Sequence, residues 1–319
     1  MTILLDGAMG TELERRGARM DAPLWSAHAL IDGPALVRTI HREYLEAGAQ
    51  VITTNTFRTH ARSLAEGGLE ADAGRLTRLA VSLAREAREE AAAGDPAIAA
   101  AAIAGSMSPL EDCFAPERSP VRSRALPEHV AIAGDLAEGG ADLLLIETMG
   151  RIDECCAAIE AAATTGLPCW LSVVGRVVDG EARLLGGERF AALVAAVAGL
   201  PIQALLLNCT QLADLPVVLP AYLDATANTD LARGLYPHTG HSDPVRGWQT
   251  HTIDAEGIAA RLAGICEEHP EIDLVGSCCG STPTWTAALA RRLHGDPQGR
   301  RRGFAELRQL LDRGAAAAS

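Results

Sequence analysis

The sequence predicts a single-domain (β/α)8 TIM barrel over residues 1–319, and three observations point to it. Short runs rich in Val, Ile and Leu recur along the chain, each ending in small or polar residues. Helix-forming stretches separate them, and eight strand–helix units in 319 residues average about 40 each, near the size of such barrels with insertions. The runs are continuous rather than alternating, as in parallel strands covered on both faces. A doubly wound open sheet is the competing architecture. Its glycine fingerprint is absent, because Gly7-Ala8-Met9-Gly10 lacks the G-x-G-x-x-G spacing.

Strands are expected in 3–7, 50–57, 97–108, 141–148, 169–174, 204–209, 231–238 and 273–279. Amphipathic helices are expected in 34–47, 71–93, 127–139, 151–164, 188–198, 254–268 and 283–293. A first short helix is expected to begin at Thr11, where Thr11 and Glu14 have capping-box spacing. The small-residue tail 314–319 is expected to fray. In such a barrel, active sites form at the C-terminal ends of the strands. Asp6, Thr54, Asn55, Glu147, Asn208, Cys209, Cys278 and Cys279 all fall there, and burying such groups unpaired would cost a few kcal/mol each.

Composition removes several function classes. The 28 basic residues are all arginines, so chemistry through a lysine Schiff base or a Walker-type phosphate loop is excluded. A formal net charge of −13 argues against nucleic acid as a partner. With 3% aromatic residues, base-stacking platforms and multi-walled aromatic cages are hard to build. The start MTILLDGAMG has no basic region before its short apolar run, unlike a secretory signal. The longest apolar stretch, 190–207, contains Pro201 and Gln203 and reads as helix, turn and strand rather than a membrane span. A cytoplasmic location is therefore expected, with the cysteines as thiols or metal ligands.

The eight cysteines divide by position. Cys113, Cys155, Cys156, Cys169 and Cys266 read as small core hydrophobes. Cys209 ends the sixth strand and Cys278-Cys279 ends the last. Neighbours on a regular strand point to opposite faces, so both can serve one site only in an irregular turn, for which Gly276 and Gly280 give freedom. Three thiolates with one open position would form a catalytic rather than a closed structural zinc site. A substrate sulfur filling that position would be deprotonated at neutral pH. Buried hydrophobes and a strained vicinal redox pair are the other readings of these residues.

Several segments resemble the homocysteine S-methyltransferase family: Asp6-Gly7-Ala8-Met9-Gly10-Thr11-Glu12-Leu13, Thr54-Asn55-Thr56-Phe57, Gly105-Ser106, Glu147-Thr148, Leu207-Asn208-Cys209, and Gly276-Ser277-Cys278-Cys279-Gly280-Ser281-Thr282-Pro283. They occur in order from residue 5 to about 295. The resemblance implies Zn2+ held by Cys209, Cys278 and Cys279, and methyl transfer to the sulfur of homocysteine to give methionine. It makes Asp6 and Glu147 the partners of the substrate ammonium. Thr54, Asn208 and the amides of Ala8 and Met9 are candidate substrate contacts, and Trp25 is a candidate surface for a cationic methyl group.

The donor half departs from the family pattern. His238 in Tyr236-Pro237-His238 replaces a usual asparagine, segment 108–124 matches only at its start, and Arg58 stands where betaine-using relatives carry tyrosine. S-methylmethionine or S-adenosylmethionine is the first expectation for the donor, then betaine or another onium, and another thiol or selenol is an alternative acceptor. A rival reading makes His238, His241, Asp243 and His251 a hydrolytic metal site. A non-enzymatic zinc store would need only the three cysteines. The partners expected are small molecules.

Overall fold

The computed structural model describes residues 1–243, 247–249, 254–295 and 297–317. Eight parallel strands form one sheet: β1 (Ile3–Leu4), β2 (Val51–Thr53), β3 (Ala102–Met107), β4 (Leu143–Met149), β5 (Cys169–Val173), β6 (Ala204–Gln211), β7 (Ala232–His238) and β8 (Ile272–Val275). Their spatial order is β1-β8-β7-β6-β5-β4-β3-β2. The ring closes between β1 and β2, where Gln50 N donates to Leu4 O at 2.8 Å and Asp6 N to Val51 O at 3.0 Å. The barrel predicted from the continuous apolar runs is what forms.

The runs are continuous because both faces are covered. Every residue of β3 and β5 is buried, and β6 is buried up to Thr210. Inward residues fill the barrel; outward ones meet the helix ring α2 (Pro34–Ala47), α3 (Ala73–Gly94), α4 (Arg122–Gly139), α5 (Ile152–Ala163), α6 (Phe190–Val197), α7 (Leu215–Thr226), α8 (Ala255–Glu268) and α9 (Pro283–His294). Each fully buried Leu or Val contributes about 1.5–3 kcal/mol. A short α1 (Met9–Arg15) precedes this ring and α10 (Pro297–Ala317) follows it. Among the described residues, no helix is long and apolar enough to cross a membrane.

Four expectations are corrected. Helix α7, absent from the sequence reading, carries Pro216 in its first turn, where no donor is lost, and Pro220 inside. Its buried face of Leu215, Val218, Leu219, Tyr222 and Leu223 outweighs the proline. Helix α4 begins at Arg122, not at Pro127. Helix α1 begins at Met9 with no side-chain cap, so Thr11 is not a capping residue. The tail expected to fray from Gly314 is helical to Ala317, and 318–319 lie outside the described residues. Helix α10 closes the lower end of the barrel: the Gln50 side chain accepts from Leu4 N at 2.8 Å and donates to Arg300 O at 3.1 Å.

Candidate active site

Strand β6 delivers Cys209 to the upper rim in a left-handed conformation, φ 44°, where its pairing with β7 shifts between Asn208 and Gln211. A non-glycine residue there costs about 1–3 kcal/mol, which surrounding contacts must offset. Asn208 supplies them. Its amide oxygen accepts from Thr148 N at 3.0 Å and Ser172 Oγ at 2.8 Å, and its nitrogen donates to Thr148 Oγ1 at 2.9 Å. Thr148 is itself left-handed, φ 61°, at the matching irregularity of β4. One buried amide thus holds two strained strand ends.

After β8, Cys278 N donates to Pro237 O at 2.9 Å and Thr239 N to Cys279 O at 3.1 Å, which seats the double cysteine against the end of β7. Gly280 turns the chain at φ +87°, and its amide donates to Thr11 Oγ1 at 3.0 Å. Thr11 therefore fixes the turn that follows Cys279. The Sγ atoms of Cys209 and Cys278 are 2.6 Å apart, those of Cys278 and Cys279 4.0 Å, and all three lie within 4.8 Å of one another. The Cys209 and Cys278 thiols donate toward Cys279, whose own ionisation is thereby pulled well below the usual thiol range, with His238 contributing in the same direction. The same contacts push Cys209 well up. Three soft donors carrying one readily formed negative charge suit a thiophilic divalent ion such as zinc and leave a fourth position open. Among the described residues, this is the group of three or more His, Cys, Asp or Glu able to hold a metal ion.

Two carboxylates face the same mouth. Asp6 is buried; its Oδ2 accepts from Thr53 N at 2.7 Å and its Oδ1 from Thr53 Oγ1 at 3.1 Å. Burial pushes its pKa up to about 8, against these bonds, and the charge of Glu147 adds to the rise. Glu147 accepts from Ser106 Oγ at 2.5 Å and, more distantly, from Tyr236 OH at 3.4 Å. Burial pushes it up to about 7. Desolvated carboxylates in a cleft are poised for a cation.

The remaining rim is built by loops. Trp25, half-buried at φ 45°, stands edge-on to Phe57 at 6.1 Å between ring centroids. It also lies so close over Gly10 that an added Cβ would sit 2.4 Å from its ring. Segment 108–121 leans on the loop after β2 through Ser108 Oγ, which donates to Phe57 O at 2.6 Å, and on α5 through Glu154, which accepts from Leu110 N at 2.9 Å and Ser119 Oγ at 2.5 Å.

Comparison with known proteins agrees with this construction. A family model described as homocysteine S-methyltransferase matches residues 3–293. The homocysteine S-methyltransferase of Escherichia coli is 34% identical, over 91% of this chain and 94% of its own. A homocysteine S-methyltransferase of Bacillus subtilis, YbgG, is 31% identical over 88% and 91%. The crystal structure of the E. coli homocysteine methyltransferase MmuM in its metallated form superposes with a TM-score of 0.77 at 31% identity, over 91% of this chain and 96% of that one. The chain belongs to the homocysteine S-methyltransferase family.

Within this methyltransferase barrel, the sequence-predicted residues separate by what their polar atoms do. Cys209, Cys278, Cys279, Asp6 and Glu147 gather at one rim. Thr54 and Asn208 lie there too, but their groups are engaged with the protein. Thr56 gives its hydroxyl proton to Ser106 O, so Thr54 donates to Thr56 at 2.8 Å while accepting from Ser106 N at 3.1 Å. The Ala8 amide is likewise committed, to Ser281 Oγ at 2.9 Å. His238 is the buried last residue of β7, beside Cys279. His241 and Asp243 lie on the short strand that follows, and His251 lies outside the described residues. Cys155, Cys169 and Cys266 are buried as core residues, whereas Cys156 is only half-buried. Cys113 is also buried, near enough to Cys279 to feel its charge. Thr11 and Thr148 were invisible as site residues, since their role depends on contacts 269 and 60 positions away.

The Asn208 clamp makes a prediction. Asn208→Ala leaves the Thr148 amide and hydroxyl and the Ser172 hydroxyl without their partner, at a cost of about 2–4 kcal/mol. It should lower the unfolding midpoint and weaken metal retention together. Denaturant titration and metal analysis after dialysis against a chelator check it, with Cys169→Ala as a destabilised variant that keeps its metal.

Proposed function

We propose that this enzyme transfers a methyl group from an onium donor to the thiol of homocysteine, giving methionine, with zinc bound by Cys209, Cys278 and Cys279. The observation that carries the reading is the meeting of these three sulfurs at the rim that also holds two desolvated carboxylates. When bound there, zinc would take the substrate sulfur as its fourth ligand and keep it a thiolate at neutral pH. Asp6 and Glu147 receive the acceptor's α-ammonium, the charge that burial of both groups leaves them without. Anchored this way, the acceptor sulfur attacks the donor methyl carbon in line. The carbon–onium bond breaks, its electron pair stays on the donor heteroatom, and a neutral group departs. No general base is needed in that step, so alignment by the rim supplies much of the rate.

A sulfonium donor, S-methylmethionine or S-adenosylmethionine, fits best; betaine, another onium or a selenol acceptor would use the same rim. Trp25 and Phe57 offer an aromatic edge to the cationic methyl group. Thr54 and Asn208 contribute by holding strand ends, through the bonds described above. A cytoplasmic location is part of this proposal, since a reducing compartment would keep the eight cysteines as thiols or metal ligands. The hydrolytic reading loses ground because His238 belongs to the cysteine rim. The test is a methyl-acceptor assay with homocysteine and each donor on zinc-loaded enzyme, following methionine. Methionine from a sulfonium donor is expected, and none from any sulfonium or betaine donor overturns the proposal.

A further inference from the structure

Arg58 is the feature of the rim that methyl transfer as described leaves unused. It directly follows Phe57 in the loop after β2 and is half-buried. Its guanidinium carbon lies 5.5 Å from the Phe57 ring centroid, so it continues the aromatic edge formed by Trp25 and Phe57. Its one hydrogen bond among the described residues is a long one, from Nη1 to Glu111 O at 3.3 Å. A guanidinium has five N–H donors and cannot shed its charge. Arg62, four residues on, shows what this surface normally does with arginine: it is paired with both Glu111, at 3.0 Å, and Glu128. Arg233, also half-buried, gives two donors to Thr226. No carboxylate among the described residues lies within ion-pair distance of Arg58.

A lone, half-buried guanidinium beside the seat of a cationic methyl donor repels a bare cation. It attracts one that carries its own anion. The rim therefore carries both signs, with two carboxylates on Asp6 and Glu147 and one arginine beside the Trp25–Phe57 pair. Arg58 and Cys279 both lie near enough to the buried thiol of Cys113 to act on its ionisation.

We propose that Arg58 binds the carboxylate of the methyl donor, so that this enzyme selects onium donors that are also carboxylates. The inference rests on the proposed methyl transfer and names its donor class. Planar bidentate pairing with a carboxylate uses donors that the protein leaves open, and such charge-assisted pairs are roughly twice as strong as neutral hydrogen bonds. Arg58 acts by binding and specificity and takes no part in the bond-making step.

The experiment compares S-methylmethionine with (3-aminopropyl)dimethylsulfonium, the same sulfonium and amine without the carboxylate. Wild-type enzyme should prefer the carboxylated donor by about 30–100-fold in kcat/KM, the worth of one charge-assisted bidentate contact. Arg58→Ala should erase that preference through the KM for S-methylmethionine, with the other donor changed by less than about threefold. Arg58→Lys should restore part of it, and Arg58→Gln, which keeps hydrogen bonding but not charge, little. Equal losses toward both donors in Arg58→Ala, or a wild-type enzyme that does not discriminate, overturn the proposal. Calorimetric binding of S-methylmethionine to wild-type enzyme and Arg58→Ala gives a readout independent of turnover. Arg58-dependent binding without methyl transfer from any donor would sink the proposed reaction and leave this inference standing, whereas transfer without Arg58-dependent binding does the reverse.

Discussion

Cys209→Ala is expected to abolish metal binding and to lower methyl transfer by at least about 10³-fold, since a bound metal supplies several kcal/mol of activation and each 1.36 kcal/mol is tenfold. Cys278→Ala should do the same, because each removes one of three donors within 4.8 Å. Metal stoichiometry by atomic emission and kcat/KM on the same preparations check it. Metal retained in both variants would sink the three-cysteine site. The backbone adds a discriminating third variant. Cys209 sits at φ 44°, which suits glycine and strains alanine. Cys209→Gly should therefore be as inactive and metal-free as Cys209→Ala, yet unfold at higher denaturant by about 1 kcal/mol. A site kept for packing would show the opposite order, since glycine would leave the larger void. The strain at Cys209 is thus a cost carried for where it aims the sulfur.

The barrel was legible because most of its strands are buried on both faces, which leaves short apolar runs along the chain, weakest at β7, where Arg233, Gly234 and Pro237 interrupt it. Helix α7 was not, because Pro216 and Pro220 break the local pattern and only its packing reveals why the helix survives. The cysteines were legible through their placement at strand ends. What the cysteines stand on was not. The Asn208–Thr148 clamp and the Thr11–Gly280 contact join residues 60 and 269 positions apart, and nothing in the local pattern of either partner marks them. For the same reason the bonds that engage Thr54 and Asn208, both expected as substrate contacts, appear only in the fold. A buried polar side chain at a strand end reads alike whether it faces a ligand or braces a neighbour, and only the count of its satisfied bonds tells which.

That count also separates Asp6 and Glu147, whose carboxylates have hydroxyl and amide donors but no cation among the described residues, from the braces. In the unfolded chain such groups ionise near 3.9 and 4.3, whereas in the fold burial moves them up to about 8 and about 7. Both values are raised, so the substrate-free folded state holds protons that the unfolded chain has released. Their contribution to stability is fully present below pH 4 and is lost as pH rises through 7 and then 8. Asp6→Asn, whose amide oxygen still accepts from Thr53 N, should remove part of this slope. The variant should melt a few degrees above wild type at pH 8.5 and close to it at pH 4. Acceptor binding should run the other way. An ammonium arriving between two carboxylates draws them into their charged forms, so binding expels protons and tightens as pH rises through 7 to 8. Asp6→Asn should weaken homocysteine binding about 30–100-fold and flatten that dependence, because one charged partner of a buried ion pair is gone. Melting curves and calorimetric titrations in buffers of differing ionisation enthalpy measure both. A variant with wild-type pH dependence in stability and unchanged acceptor affinity would remove Asp6 from the ammonium site. A variant less stable at every pH would instead make it a structural acceptor for Thr53. The two roles predict stability changes of opposite sign at pH 8.5, so one melting curve at that pH decides between them.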